Sequence, residues 1–383
     1  MARLKGIITN VAISLATVMI LLCVLEAAFR VVARSRYDVF HFPKSQCVIR
    51  APGVEYRYAP DCEVDFLRTN SMGFRDYEYP AEKPDGAYRV ACLGDSYTVA
   101  TTVALEHAYP EQLEKLLGEN SGDSIEVINM GVLGYETYQA LEFYRRIGVS
   151  FDPDLVVLGI FLGNDIHDNV RDYRYDVFQG NLTTWPKNPA KYWKKRIGLS
   201  SFVYRWYKLR KVRMIKDGKL TDEEAMINGF TEGYLNYRLD VVLGLFGKTS
   251  LENRFWKERW DKTFEILDSF KRETSERGAG FLAVIMPDEL QINPELYETV
   301  LERGGLSADD YDLSLANTKI MEYCAENEMH CVDLLPVFLG EAKRTQLYGA
   351  NTGHWNEEGN LLAADEVSDY IRETLLDPAA NGL

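Results

Sequence analysis

Four short stretches of this 383-residue chain carry side chains suited to acyl chemistry. Gly94-Asp95-Ser96 follows the apolar run Arg89–Leu93, and Asn129-Met-Gly-Val-Leu-Gly134 follows Ile125–Asn129. Gly163-Asn164-Asp165 follows Leu155–Leu162, and Gly353-His354-Trp355 precedes the last helical stretch. A serine hydroxyl is a weak nucleophile and needs a base within hydrogen-bond reach, most often a histidine. A carbonyl attacked by Ser96 becomes an oxyanion, which needs preorganised donors; losing one costs on the order of 3 kcal/mol. The Ser96 N–H, the Gly134 N–H and the Asn164 side-chain amide supply three. Glycine suits position 134 because a side chain would crowd a substrate where backbone must approach closely. Singly, each residue has a plainer use: Asp95 and Ser96 as a cap or turn, Gly134 as a turn, Asn164 as a loop fastener, His354 as a structural histidine. Their shared position beside strand ends favours the chemical reading.

The elements that position them follow from the hydrophobic pattern. Strands are predicted at Arg89–Leu93, 125–129, 155–162, 281–286 and 330–335, with helices over 107–120, 136–148, 257–276, 309–327 and 357–376. The third strand, Leu-Val-Val-Leu-Gly-Ile-Phe-Leu, is apolar on both faces, as a central parallel strand is. Strand–helix alternation of this kind predicts an α/β fold with a parallel sheet and helices on both faces. Reactive residues in such sheets lie at the carboxyl ends of the strands. Residues 166–256 exceed what a crossover needs and are expected to form a helical insertion, either a cap facing substrate or a peripheral module. Residues 35–86, rich in Tyr, Pro, Asp and Gly, read as an extended arm, and the core domain as 87–383.

The remaining features set the surroundings. A formal charge of −15 argues against a nucleic-acid partner, which demands Lys and Arg for the phosphates. Residues 1–34 read as a membrane anchor, with a helix over about 7–29 interrupted by the single charge of Glu26; about 20 apolar residues span a bilayer core. A cleaved signal peptide ending at Val31-Val32-Ala33 is the alternative. Cys47 with Cys62, and Cys324 with Cys331, are two candidate disulfides; free buried thiols are the other reading. No cysteine–histidine spacing suggests a metal site, and neither metal nor organic cofactor is expected.

These motifs resemble those of the SGNH/GDSL hydrolase superfamily. Gly94-Asp95-Ser96 is similar to its first block, Asn129-Met-Gly-Val-Leu-Gly134 to its second, Gly163-Asn164-Asp165 to its third, and the stretch around His354 to its last. The resemblance covers about 88–376 outside the insertion. It implies a three-layer, flavodoxin-like α/β/α fold, Ser96 as nucleophile, His354 as general base, and an oxyanion hole of the Ser96 amide, Gly134 and Asn164. It extends to membrane-anchored bacterial members, which share a single N-terminal helix and a stretch like Asn70-Ser-Met-Gly-Phe-Arg-Asp76. That likeness implies a single-pass protein whose body is periplasmic or extracellular. One departure stands out. The family places Asp three residues before the histidine, where this chain has Asn351. Asn351 or a main-chain carbonyl is left to fix the imidazole tautomer, unless Asp165 or Glu357 swings in as a substitute carboxylate. The resemblance thus implies a serine esterase acting on an acyl ester, an O-acetyl on a cell-surface polysaccharide being one substrate. An O-acyltransferase of the same fold and a catalytically silent glycan-binding or assembly protein are the alternatives.

Overall fold

The computed structural model describes residues 47–64, 67–119, 124–171, 173–178, 181–186, 226–227, 230–239 and 243–376, with scattered positions between Gly6 and Val24. Two compact units emerge, one of Cys47–Arg171 with Glu223–Leu383 and the other of Met1–Gln46 with Asp172–Asp222. In the second, the described residues include an antiparallel hairpin, Tyr173–Phe178 with Asn181–Pro186. That part of the insertion is therefore stranded where a helix was expected. The anchor helix predicted over 7–29 lies largely outside the described residues. Among the described residues no helix is long and apolar enough to cross a membrane.

The first unit holds all four candidate stretches. It opens with a hairpin of β1 (Val48–Ala51) and β2 (Glu55–Tyr58), closed by a Cys47–Cys62 disulfide. The other candidate pair, Cys324 and Cys331, is present as free buried thiols. Five parallel strands follow: β3 (Ala87–Leu93), β4 (Ser124–Asn129), β5 (Leu155–Phe161), β6 (Gly280–Met286) and β7 (His330–Asp333), in the order β7-β6-β5-β3-β4. Counting from β3, this is the doubly wound order 2-1-3-4-5, whose switch point falls between the first and third strands. All seven residues of β5 are buried, as its two apolar faces require.

The helices include α1 (Ser96–Val99), α2 (Tyr109–Gly118), α3 (Thr137–Arg146), α4 (Glu232–Tyr237), α5 (Arg254–Ser275), α6 (Leu315–Glu326) and α7 (Glu357–Tyr370). α2 packs against α7, and α3 against α5. One core joins the α2 and α7 side chains Leu113, Leu117, Ala364 and Val367 to the sheet residues Val90, Val127, Val157 and Val284. Observed ends differ from the predicted ones by up to six residues, chiefly where turns of other kinds extend the helices.

The described part of the arm packs against the core. Tyr56 and Tyr58 are buried, and the Asn70–Asp76 stretch buries Phe74, Arg75 and Asp76 against the core. Asn70 organises that stretch: its Oδ1 accepts from the Met72 and Phe74 amides at 3.0 and 2.9 Å. Asparagine favours such local turns because its short side chain reaches its own backbone.

Candidate active site

Each candidate side chain leaves the carboxyl end of a strand or the turn before α7. β3 gives way to Gly94, where a Cβ would sit 2.3 Å from Thr98 Oγ1; only glycine fits this tight reversal. Asp95 then caps α1, its Oδ1 accepting from the Tyr97 amide at 2.9 Å. Ser96 is consequently the first residue of α1, with an N–H that has no partner within that helix. β3 and β5 are adjacent, so Ser96 and Asn164 leave the sheet on either side of the switch point.

Ser96 and His354 meet across 258 positions of sequence, with Ser96 Oγ 2.8 Å from His354 Nε2. His354 Nδ1 lies 2.8 Å from the Thr352 main-chain oxygen. A carbonyl only accepts, so Nδ1 carries the proton and Nε2 offers its lone pair to the serine hydroxyl. The fastener of the imidazole is thus the Thr352 carbonyl and not the Asn351 side chain. Asn351, at φ 55°, turns its Oδ1 to the Thr231 amide at 3.1 Å. Neither substitute carboxylate takes that place. Asp165 Oδ2 accepts from the Phe161 amide at 2.8 Å, and Glu357 Oε2 stands 3.8 Å from His107 Nε2.

Burial is the largest influence on His354 and lowers its pKa. The Thr352 carbonyl opposes this, the Arg238 guanidinium reinforces it, and the Asp288 carboxylate opposes it. Arg238 and Asp288 are both buried and form a two-point pair, Nε to Oδ1 at 3.0 Å and Nη2 to Oδ2 at 3.2 Å. Tyr97, the residue after the serine, donates its hydroxyl to the Gly353 carbonyl. Its ring lies 5.3 Å from that of His354. The turns that carry Ser96 and His354 are therefore tied together directly.

Gly134 sits at φ 77°, in the left-handed region that glycine enters without the cost other residues bear. The amides around it are nearly all spent. Met130 N–H donates to Cys92 O, Gly131 N–H to Asn129 Oδ1, Val132 N–H to Gly94 O, Leu133 N–H to Tyr58 Oη, and Tyr135 N–H to Val132 O. Among the described residues Gly134 N–H is the one amide of 130–135 for which no such bond exists. Asn164 reaches the same turn: its Nδ2 donates to the Tyr135 carbonyl across a long 3.4 Å, and its Oδ1 is buried without a partner. A bond that long is weak, so the amide is available to a stronger acceptor.

Behind the serine lie two buried acids, Asp95 and Asp165. Burial raises both, Asp95 to about 6 and Asp165 well above the carboxylate range, with Asp95 the main charge acting on Asp165.

Sequence reasoning missed several residues here. Asp288 had a readable signal: it comes just after β6 and Pro287 and opens Asp-Glu-Leu-Gln291, a capping box. Arg238 lies in the insertion, where nothing in the pattern singles it out. The Thr352 contact is main-chain and leaves no residue signature.

No family model matches the sequence, and neither does any curated protein. Among solved structures the chain is similar to TesA, at 12% identity and TM-score 0.38, over 74% of this chain and 98% of that one. It is similar to a GDSL-like lipase from Bacteroides thetaiotaomicron VPI-5482, at 14% identity and TM-score 0.36, over 75% and 89%. A third is a catalytic mutant of an acetylxylan esterase from Geobacillus stearothermophilus, at 14% identity and TM-score 0.38, over 75% and 93%. Identities and scores this low leave any functional assignment to the atoms of the site.

Proposed function

We propose that this protein is a serine hydrolase of acyl esters working through a Ser96–His354 dyad. The observation that carries this is the 2.8 Å Ser96 Oγ–His354 Nε2 contact combined with the 2.8 Å Nδ1 contact to the Thr352 carbonyl. Ser96 attacks the ester carbonyl as Nε2 takes its proton; the same proton then passes to the leaving alcohol. Water, deprotonated by His354, releases the acid and restores the serine. The oxyanion of each tetrahedral intermediate is held by the Ser96 and Gly134 amides and the Asn164 side chain. Stabilising charge that develops in the transition state is the larger contribution in such sites, which suits a base lacking a carboxylate partner.

The apolar run 7–29 supports a membrane partner, with the body on the outer side, and the Cys47–Cys62 bridge supports an oxidising compartment. A short acyl ester on a surface carbohydrate, O-acetyl first, is the substrate to test there. The deciding experiment treats the protein with a fluorophosphonate probe and with p-nitrophenyl esters of increasing chain length. Labelling and turnover in wild type, both abolished in Ser96→Ala and turnover in His354→Ala, are expected. An unlabelled and inactive wild type overturns the reading and leaves the silent binding protein; turnover that survives Ser96→Ala overturns it in favour of a different nucleophile. Adding a sugar acceptor separates hydrolysis from acyl transfer, since transfer lowers released acid at constant alcohol release.

A further inference from the structure

The arm before the sheet makes more contact with the candidate catalytic turns than a tether requires. Its tyrosines take both polar groups of Leu133, the residue before Gly134. Tyr58 Oη accepts the Leu133 N–H at 3.1 Å, and Tyr56 O–H donates to the Leu133 carbonyl at 2.7 Å. In return the Tyr135 hydroxyl donates to the Tyr56 carbonyl, and the Tyr56 and Tyr135 rings meet edge to face at 5.2 Å. Residues on both sides of Gly134 are thus pinned to β2.

The Asn70–Asp76 stretch grips the other turns. Arg75 donates from Nη1 to Val99 O at 3.0 Å and from Nη2 to Val103 O at 2.6 Å. Its positive charge therefore sits at the carboxyl end of α1, where the helix dipole favours a cation. Asp76 Oδ2 accepts the Asn129 N–H at 2.7 Å, at the last residue of β4 before the Gly134 turn. The Cys47–Cys62 bridge closes the loop that contains β1 and β2.

We propose that this disulfide-closed arm belongs to the catalytic apparatus, with Tyr56 and Tyr58 as positioning residues for the Gly134 turn. The proposal rests on the serine-hydrolase reading. An oxyanion donor acts through its placement, and displacement by about 1 Å costs on the order of 100-fold. Tyr58 consumes the neighbouring N–H and Tyr56 the neighbouring carbonyl. Tyr56 thereby holds the Leu133–Gly134 peptide plane, which carries the Gly134 amide, Tyr58 holds the plane before it, and the Gly134 amide is left as the unspent donor.

The test uses the full chain, with sites counted by fluorophosphonate titration, and compares wild type, Tyr58→Phe and Tyr56→Phe. The expected result for Tyr58→Phe is a kcat about 10- to 100-fold lower per titrated site, with KM within about twofold. The inhibition constant of a boronic acid, whose tetrahedral oxygen takes the oxyanion position, is expected to weaken by the same factor. A purely structural role lowers the melting temperature but leaves kcat per titrated site and boronate affinity unchanged, and that result overturns the proposal. If Tyr58→Phe does not fold, Tyr56→Phe carries the same comparison, because it removes a donor to a carbonyl and leaves the Leu133 N–H paired with Tyr58. Absence of labelling in wild type would instead defeat the underlying hydrolase reading, so the two failures are distinct.

Discussion

Asn351→Asp restores the acid that the resemblance leads one to expect three residues before the histidine, and it is expected to do almost nothing. In a complete Ser-His-Asp triad the carboxylate is worth roughly 10⁴ in kcat, or about 5.5 kcal/mol. That gain requires the carboxylate to take the Nδ1 proton. Here Nδ1 is already engaged by the Thr352 carbonyl at 2.8 Å, and the 351 side chain is turned to the Thr231 amide at 3.1 Å. Aspartate keeps both features of the site: it accepts that N–H as asparagine does, and it tolerates the left-handed backbone at φ 55°. Swinging to Nδ1 would cost it the Thr231 bond and would require the carbonyl to withdraw. The expected kcat/KM is therefore within about threefold of wild type, a difference of roughly 0.7 kcal/mol. The assay is p-nitrophenyl acetate hydrolysis from pH 4.5 to 9, normalised by fluorophosphonate titration. A rise of tenfold or more, accompanied by an upward move of the acid limb, would show that 351 reaches the imidazole and would refute the carbonyl-held dyad.

Four further outcomes follow from the same contacts. The acid limb of kcat/KM reports the base; because burial lowers His354, it stays neutral and active below the ordinary value near 6.5, and activity fades as pH falls through the lowered value. A limb centred above 6.5 contradicts this. Asn164→Ala is expected to reduce kcat by about 10²–10³ with little loss of stability, since the bond it surrenders is the long 3.4 Å one; kinetics beside a urea melt check both halves. Arg238→Met leaves the buried Asp288 charge alone and should cost about 3–5 kcal/mol, whereas Arg238→Met with Asp288→Leu should recover most of it. Equal instability of the single and double variants in urea would count against the pair. Replacing both Cys47 and Cys62 by serine opens a bridge of sequence separation 15 and should lower stability by about 3 kcal/mol, read as a shift in the denaturation midpoint.

The parts of this architecture that repeat along the chain were readable, and the parts made by long-range contacts were not. β5 could be recognised because seven consecutive apolar residues have no other economical use, and its burial at every position agrees. Ser96, Gly134 and Asn164 could be singled out because a parallel sheet delivers its strand ends to one edge. The pairing of Ser96 with His354 had no local signal, since nothing local sets the meeting of residues 258 positions apart. The contacts of the arm were not readable for a definite reason. Its strands are two to four residues long, too short for periodicity to register. Its tyrosines act through hydroxyl contacts to residues 75 and 77 positions away. The His354 tautomer was undecidable for another reason: the deciding group is a main-chain oxygen, which any residue would supply.

Asp165→Asn tests why two acids can lie behind Ser96 without opposing the oxyanion of the proposed reaction. Two ionised carboxylates there would repel the developing negative charge and hold the imidazole proton too firmly. Burial raises both, and Asp95 raises Asp165 further, so the folded protein retains a proton on Asp165 where an unfolded chain, with a pKa near 3.9, has lost it. The sign of the linkage follows. The folded state then binds more protons than the unfolded one, so this group lowers stability as pH rises from about 4 through its folded value. Asparagine reproduces the protonated acid: one oxygen still accepts the Phe161 N–H, and the amide occupies the position of the partnerless Oδ1. Urea midpoints at pH 5 and pH 7.5 should therefore fall more in wild type than in Asp165→Asn, while kcat stays within about threefold, a change of under 1 kcal/mol. Parallel midpoints would mean that Asp165 is ionised in the fold. A loss of kcat approaching the roughly 10⁴ of a missing triad carboxylate would mean that Asp165, and not the Thr352 carbonyl, is what His354 depends on.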